Sequence, residues 1–296
     1  MKIQEIISEG ISYSKYLGMI EPLIKNSIVD SFKKSSQDVD DFLEILQDDL
    51  IEKLEAAAVE ILPDQTVIVD FKKINTSGLS WVETPHVSLQ SKNKITHRIR
   101  INKLLLDKIS SKIFAEPDRD LLDLLDRRDV AQYIDTITDT FIHEIVHSTQ
   151  HTRQPLDPGQ DPSYTSYLAK GNKFEKERER IATGGSRDRN YHRIYFASPQ
   201  EIAAHAHNLV LEIIRKYKLK PNAYLTRGEN LKNILSSVNV AKQKIPTEIA
   251  DYLKLWKVRY QGYRDPQVQK VHKRYMKLVY QELDQYIKHI TDELRN

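Results

Sequence analysis

Between Pro63 and Asp107 the apolar residues of this chain recur at every second position, whereas on either side they recur at every third or fourth. A period of two belongs to strands and a period near 3.6 to helices, so the chain has to combine a sheet with helices rather than build either alone. The stretches "QTVIVDFKK", "SWVETPHVSLQ" and "KITHRIRINKLLL" carry the strand pattern, and the turn-forming "NTSG" and "SKNK" separate them. They predict a small, mainly antiparallel sheet. Upstream, Phe42, Ile45, Leu46, Leu50, Leu54, Ala57, Ala58 and Ile61 mark an amphipathic helix that stops before Pro63. The first thirty residues are also predicted helical, with a break near Glu21-Pro22.

Downstream of the strand region, "DRDLLDLLDRR" leads into "DVAQYIDTITDTFIHEIVHSTQH", where Val130, Tyr133, Ile134, Ile137, Phe141 and Ile145 form one stripe. Residues 152 to 190 hold three prolines, four glycines and the charge run "KFEKERER", which predicts loop, either a lid over a site or a solvated connection. Ser198 and Pro199 then suit the N-cap and first position of a new helix, and the rest of the chain is predicted helical. In the last helix Met276, Val279, Leu283, Tyr286, Ile287, Ile290 and Leu294 share one face. The expected class is therefore α+β, with a helical segment at 1–62, a sheet-and-helix core at 63–217 and a helical segment at 218–296.

The chain of 296 residues contains no cysteine, which excludes disulfides, thiolate ligands and a cysteine nucleophile. Any metal must be held by histidine and carboxylate. Lys and Arg number 45 against 42 Asp and Glu, a balance that argues against nucleic acid as partner. No apolar run approaches the roughly 18 residues of a membrane span, and the polar residues of "MKIQEIISEGISYSKYLGMI" leave no export signal. The expectation is a protein without membrane contact.

Within "FIHEIVHSTQH", His143 and His147 are separated by one helical turn, so both imidazoles can reach one ion. Glu144 follows the first histidine directly and is suited to act as general base towards a metal-activated water that attacks an acyl carbon. With ten histidines in the chain, a chance His-Glu-x-x-His is expected on the order of 0.02 times, so composition alone does not account for it. His151 repeats the spacing, but it stands about 12 Å along the axis from His143, too far to share an ion. It reads as a neighbour of the ligands or a surface residue.

This motif, on a helix after a small sheet, resembles the zincin metallopeptidases. The resemblance implies a sheet packed on an active-site helix, a Zn2+ cofactor, a polypeptide substrate and a third metal ligand elsewhere in the chain. Metzincins place a glycine and a histidine where this chain has Gln150 and Arg153, so that subgroup is excluded. Gluzincins draw a glutamate from a later helix, which implies Glu201 in "YFASPQEIAAHAH"; Glu175, Glu177 and Glu179 are its rivals. Ser198 and Glu201 also have capping-box spacing, which leaves a purely structural role open. Many gluzincins carry an aspartate one turn after the ligand, where this chain has His205; Asp139, a turn before His143, is a further candidate to brace that histidine.

Tyr191, His192, Tyr195 and His207 are the donors available to stabilise a transition state, with Tyr195 the choice among them. "THRIRIN" is the nearest strand upstream of the motif. As an exposed edge, its Arg98 and Arg100 would favour an acidic peptide, or simply blunt the edge against aggregation. The N-terminal "MKIQEIISEG" resembles the starts of virion proteins of T4-like tailed phages. The leading expectation is a zinc-dependent gluzincin-like metallopeptidase, cytoplasmic or in a virion. The alternative is a non-catalytic zincin-like structural or interaction protein, assembling with other virion proteins.

Overall fold

The computed structural model describes residues 13–36, 38–62, 65–83, 96–152, 196–197, 199–222, 224–255 and 266–295. Eight helices and three strands lie among them, an α+β composition as the change of period predicts. The chain divides into two compact units, residues 16–164 and residues 165–296 with 1–15.

In the first unit, α1 (Tyr13–Lys34) continues through Pro22 without the expected break. Pro22 removes the amide that would bond the Gly18 carbonyl, and Gly18 is exposed, so water can take that role. Helix α2 (Val39–Ile61) starts at Asp38, whose carboxylate accepts from the Asp40 and Asp41 amides at 2.9 Å. Its buried stripe is Phe42, Leu46, Leu50, Leu54, Ala57, Ala58 and Ile61, with Ile45 half-buried, and Phe32, Phe42 and Phe114 pack as an aromatic trio, edge-on between Phe32 and Phe42 and tilted in the other two pairs.

Three strands follow, β1 (Thr66–Lys72), β2 (Gly78–Glu83) and β3 (Thr96–Asn102), in the spatial order β1-β3-β2. The sheet is not mainly antiparallel: β3 runs parallel to β1 over seven residue pairs and antiparallel to β2 over six. Period-two alternation assigns side chains to faces but carries no information on strand direction, and the last strand inserts between the first two. Nor is "THRIRIN" an edge. It is the central strand, and Arg100 is bound bidentately by its register partner Asp70, Nε to Oδ1 at 2.7 Å and Nη2 to Oδ2 at 2.9 Å. The edge strand β1 is met by α2, where Glu55 Oε1 accepts from the Val69 amide at 2.9 Å.

Val67, Val69 and Phe71 of β1 and His97, Ile99 and Ile101 of β3 are buried in alternation with outward-facing residues. Helices α3 (Leu104–Phe114), α4 (Leu121–Asp126) and α5 (Arg128–Thr152) complete the unit, with α5 packed on β2 and β3. Of the predicted α5 stripe, Val130, Ile134, Ile137, Phe141 and Ile145 are buried and Tyr133 is half-buried.

The second unit contains α6 (Pro199–Lys216), α7 (Arg227–Leu255) and α8 (Pro266–Arg295), which pack on one another. On α8, Val279, Leu283, Tyr286, Ile287 and Ile290 of the predicted stripe are buried and Met276 and Leu294 half-buried, while Tyr275, outside the stripe, is fully buried. Helix α6 ends with Lys218 in the left-handed region (φ 53°) and the Leu219 amide donating back to the Ile214 carbonyl at 2.9 Å. Among the described residues no helix is long and apolar enough to cross a membrane.

Candidate functional site

Helix α5 carries His143, Glu144 and His147, and Glu144 adjoins the start of β2. His143 and Glu144 are buried and His147 is half-buried, so the trio sits where the apolar stripe gives way to the helix flank. The two imidazoles approach with Nε2 atoms 3.1 Å apart and rings nearly perpendicular at 78°. Two ligands about 2.05 Å from a tetrahedral zinc stand about 3.3 Å apart, so this separation fits a shared ion.

Gly78, the first residue of β2, explains how strand and helix come so close. A Cβ there would collide with Thr140 Cγ2, lie 3.1 Å from the Arg100 carbonyl oxygen and stand 3.7 Å from Glu144 Oε1. Only glycine leaves room for this approach, which places the Glu144 carboxylate beside the end of the sheet. Asp139, a turn before His143, is half-buried. His151 falls in the last turn of α5, and its side chain lies outside the described residues.

Helix α6 carries the other candidates. Glu201 is buried in its first turn, and His205, one turn on, places Nε2 at 3.7 Å from Glu201 Oε2. The His205 ring is fixed from two sides: Nδ1 is 2.7 Å from the Tyr252 hydroxyl of α7, and the ring stacks on Phe196 at 4.2 Å and 26°. Phe196 is itself anchored by its carbonyl, which accepts from the Tyr275 hydroxyl of α8 at 3.0 Å. His207 is fully buried, with Nδ1 2.7 Å from Glu282 Oε2.

Tyr252 and Glu282 were not legible as partners of this helix, because they lie 47 and 75 residues from the histidines they hold. Neither stands in a motif that would have drawn attention to it. Tyr191, His192, Tyr195 and Ser198 lie outside the described residues, as do Glu175, Glu177, Glu179 and the expected loop from 153 onward. The capping alternative for Glu201 therefore has its partner outside them.

His143 in the first unit, and Glu201 and His205 in the second, are all buried and each offers an atom of the kind that ligates a metal. Imidazole and carboxylate donors suit zinc and other borderline divalent ions, so each of these residues is of a kind that could ligate a metal ion. No family model matches this chain, and neither a curated protein nor a solved structure matches it.

Proposed function

We propose that the protein is a zinc-dependent metallopeptidase of gluzincin type, with His143 and His147 of α5 and Glu201 of α6 as metal ligands. The observation that carries this reading is the pair of Nε2 atoms 3.1 Å apart on α5, with buried Glu144 between the two histidines in sequence. Bound zinc would lower the pKa of a water towards about 7 and polarise the scissile carbonyl. Glu144 takes the proton of the attacking water and delivers it to the leaving nitrogen. Glu144 is buried beside Gly78, largely out of bulk water. Tyr195 is assigned the stabilisation of charge on the carbonyl oxygen. The substrate is a polypeptide and the compartment is the cytoplasm or a virion.

The test is zinc content and casein hydrolysis for wild type, Glu144→Gln and Glu201→Ala. Wild type should carry about one zinc and lose activity with chelator. Glu144→Gln should keep the zinc and lose about 10²–10⁴-fold in rate, whereas Glu201→Ala should lose the zinc. Hydrolysis that persists in chelator overturns the mechanism. Zinc binding with no hydrolysis would instead favour the non-catalytic structural reading, in which the long helices α7 and α8 serve assembly with other virion proteins.

A further inference from the structure

We infer that His205 is a second metal-binding side chain on α6, acting beside Glu201 and held in its ligating form by Tyr252. The inference rests on the metal-binding reading above and adds to it a donor that the motif does not contain, so that the ion would take four protein donors with its water as a fifth ligand.

Glu201 and His205 are four residues apart on one helix, the spacing by which His143 and His147 converge on α5. The 3.7 Å between Glu201 Oε2 and His205 Nε2 is too long for a direct hydrogen bond. It does suit two ligands of one ion: a carboxylate oxygen and an imidazole nitrogen, each about 2.0–2.2 Å from a metal, stand roughly 3.3–3.8 Å apart at ordinary coordination angles.

The other face of the ring supplies the second line of argument. A histidine that ligates through Nε2 generally donates its Nδ1 hydrogen to a neighbour, which fixes the tautomer and aims the lone pair. His205 has that neighbour in the Tyr252 hydroxyl at 2.7 Å, and the stack on Phe196 prevents the ring from swinging away from Glu201. Tyr252 and Phe196 are both buried, so the orientation is built into the packing of α6 and α7. With Nδ1–H donated to the tyrosine oxygen, Nε2 presents a lone pair towards the carboxylate, and a cation between them is attracted to both. Tyr252 is thus a positioning residue that acts on the metal through His205.

The opposite tautomer, with the tyrosine donating to Nδ1 and Nε2–H directed at Glu201, would make the pair a structural contact with no part in metal binding. The two arrangements are separated by measuring zinc affinity in competition with a chromophoric chelator, and the visible spectrum of the cobalt(II)-loaded chain. Wild type, His205→Ala and Tyr252→Phe are compared, with circular dichroism of the metal-free proteins to verify folding. His205→Ala should bind zinc about 10–100-fold more weakly and show altered cobalt bands, because one nitrogen donor is lost. Tyr252→Phe should weaken zinc about tenfold; it carries the test alone if His205→Ala does not fold.

Wild-type zinc affinity and an unchanged cobalt spectrum in the folded variants overturn the inference while leaving the proposed peptidase intact. A wild-type chain that binds no zinc overturns both. Zinc binding that depends on His205, in a protein without hydrolytic activity, supports the inference and overturns only the peptidase.

Discussion

His97 shares the inner face of β3 with Ile99 and Ile101, and its side chain is 1% exposed. Burial disfavours the imidazolium and pushes its pKa from 6.5 down to about 4. Between those values the unfolded chain binds more protons than the folded one, so stability rises with pH across this window. The contribution of neutral His97 is complete above about 6.5 and is lost progressively as the pH falls towards about 4. From pH 7 to pH 5 the loss should be about 2 kcal/mol. Urea unfolding of wild type and His97→Leu at both pH values measures it: carboxylates that titrate in the same range act alike in both chains, and leucine suits the apolar face. The variant should lose less stability than wild type on acidification, and equal losses would show that burial does not set this group's protonation. In the sequence, the alternation in "THRIRIN" shows which residues share a face with His97, but not how completely that face is covered.

Helices could be read from this sequence because their cores depend on spacing within one segment, and most of each predicted stripe on α2, α5 and α8 is buried. Strand partners could not, since parallel pairing of β1 with β3 depends on where the intervening β2 goes. Pro22 misled for a related reason: it sits inside a continuous helix, as does Pro246 in the region expected to be helical, because something outside the local sequence can satisfy the carbonyl that each leaves behind. Pro246 has no amide to offer the Lys242 carbonyl four residues earlier, and the Tyr280 hydroxyl of α8 donates to that oxygen at 3.0 Å. The tyrosine takes over the bond that proline removes and ties α7 to α8. Tyr280→Phe should therefore cost about 1 kcal/mol in the native chain. In a Pro246→Ala background the restored amide can bond Lys242, and the same substitution should cost much less. A double-mutant cycle by denaturant unfolding reads this coupling, and additive effects would show that the two groups do not compensate for each other.

At the scale of the whole molecule, the candidate site was legible in the sequence to the extent that it is local. The His143-Glu144-His147 arrangement follows from helical spacing alone, and Glu201 came from a motif on a second helix. The supports of that second helix, Tyr252 and Glu282, come from α7 and α8 and carry no local signature. The proposed ligands are divided between the two compact units, His143 and His147 in one and Glu201 in the other. If one ion takes donors from both, its binding free energy must stabilise both chain segments against opening. At a free zinc concentration 100 times the dissociation constant, that linkage amounts to about 2.7 kcal/mol, or about 100-fold slower hydrogen exchange at amides that open only when the metal leaves. Hydrogen exchange followed by mass spectrometry should show zinc-dependent protection in peptides covering 141–147 and in peptides covering 199–207. Glu201→Ala should abolish the effect in both, because the ion needs its third donor for tight binding. Protection confined to α5 would mean that its two histidines bind zinc without help from α6, and Glu201 would then be a structural residue of its own unit.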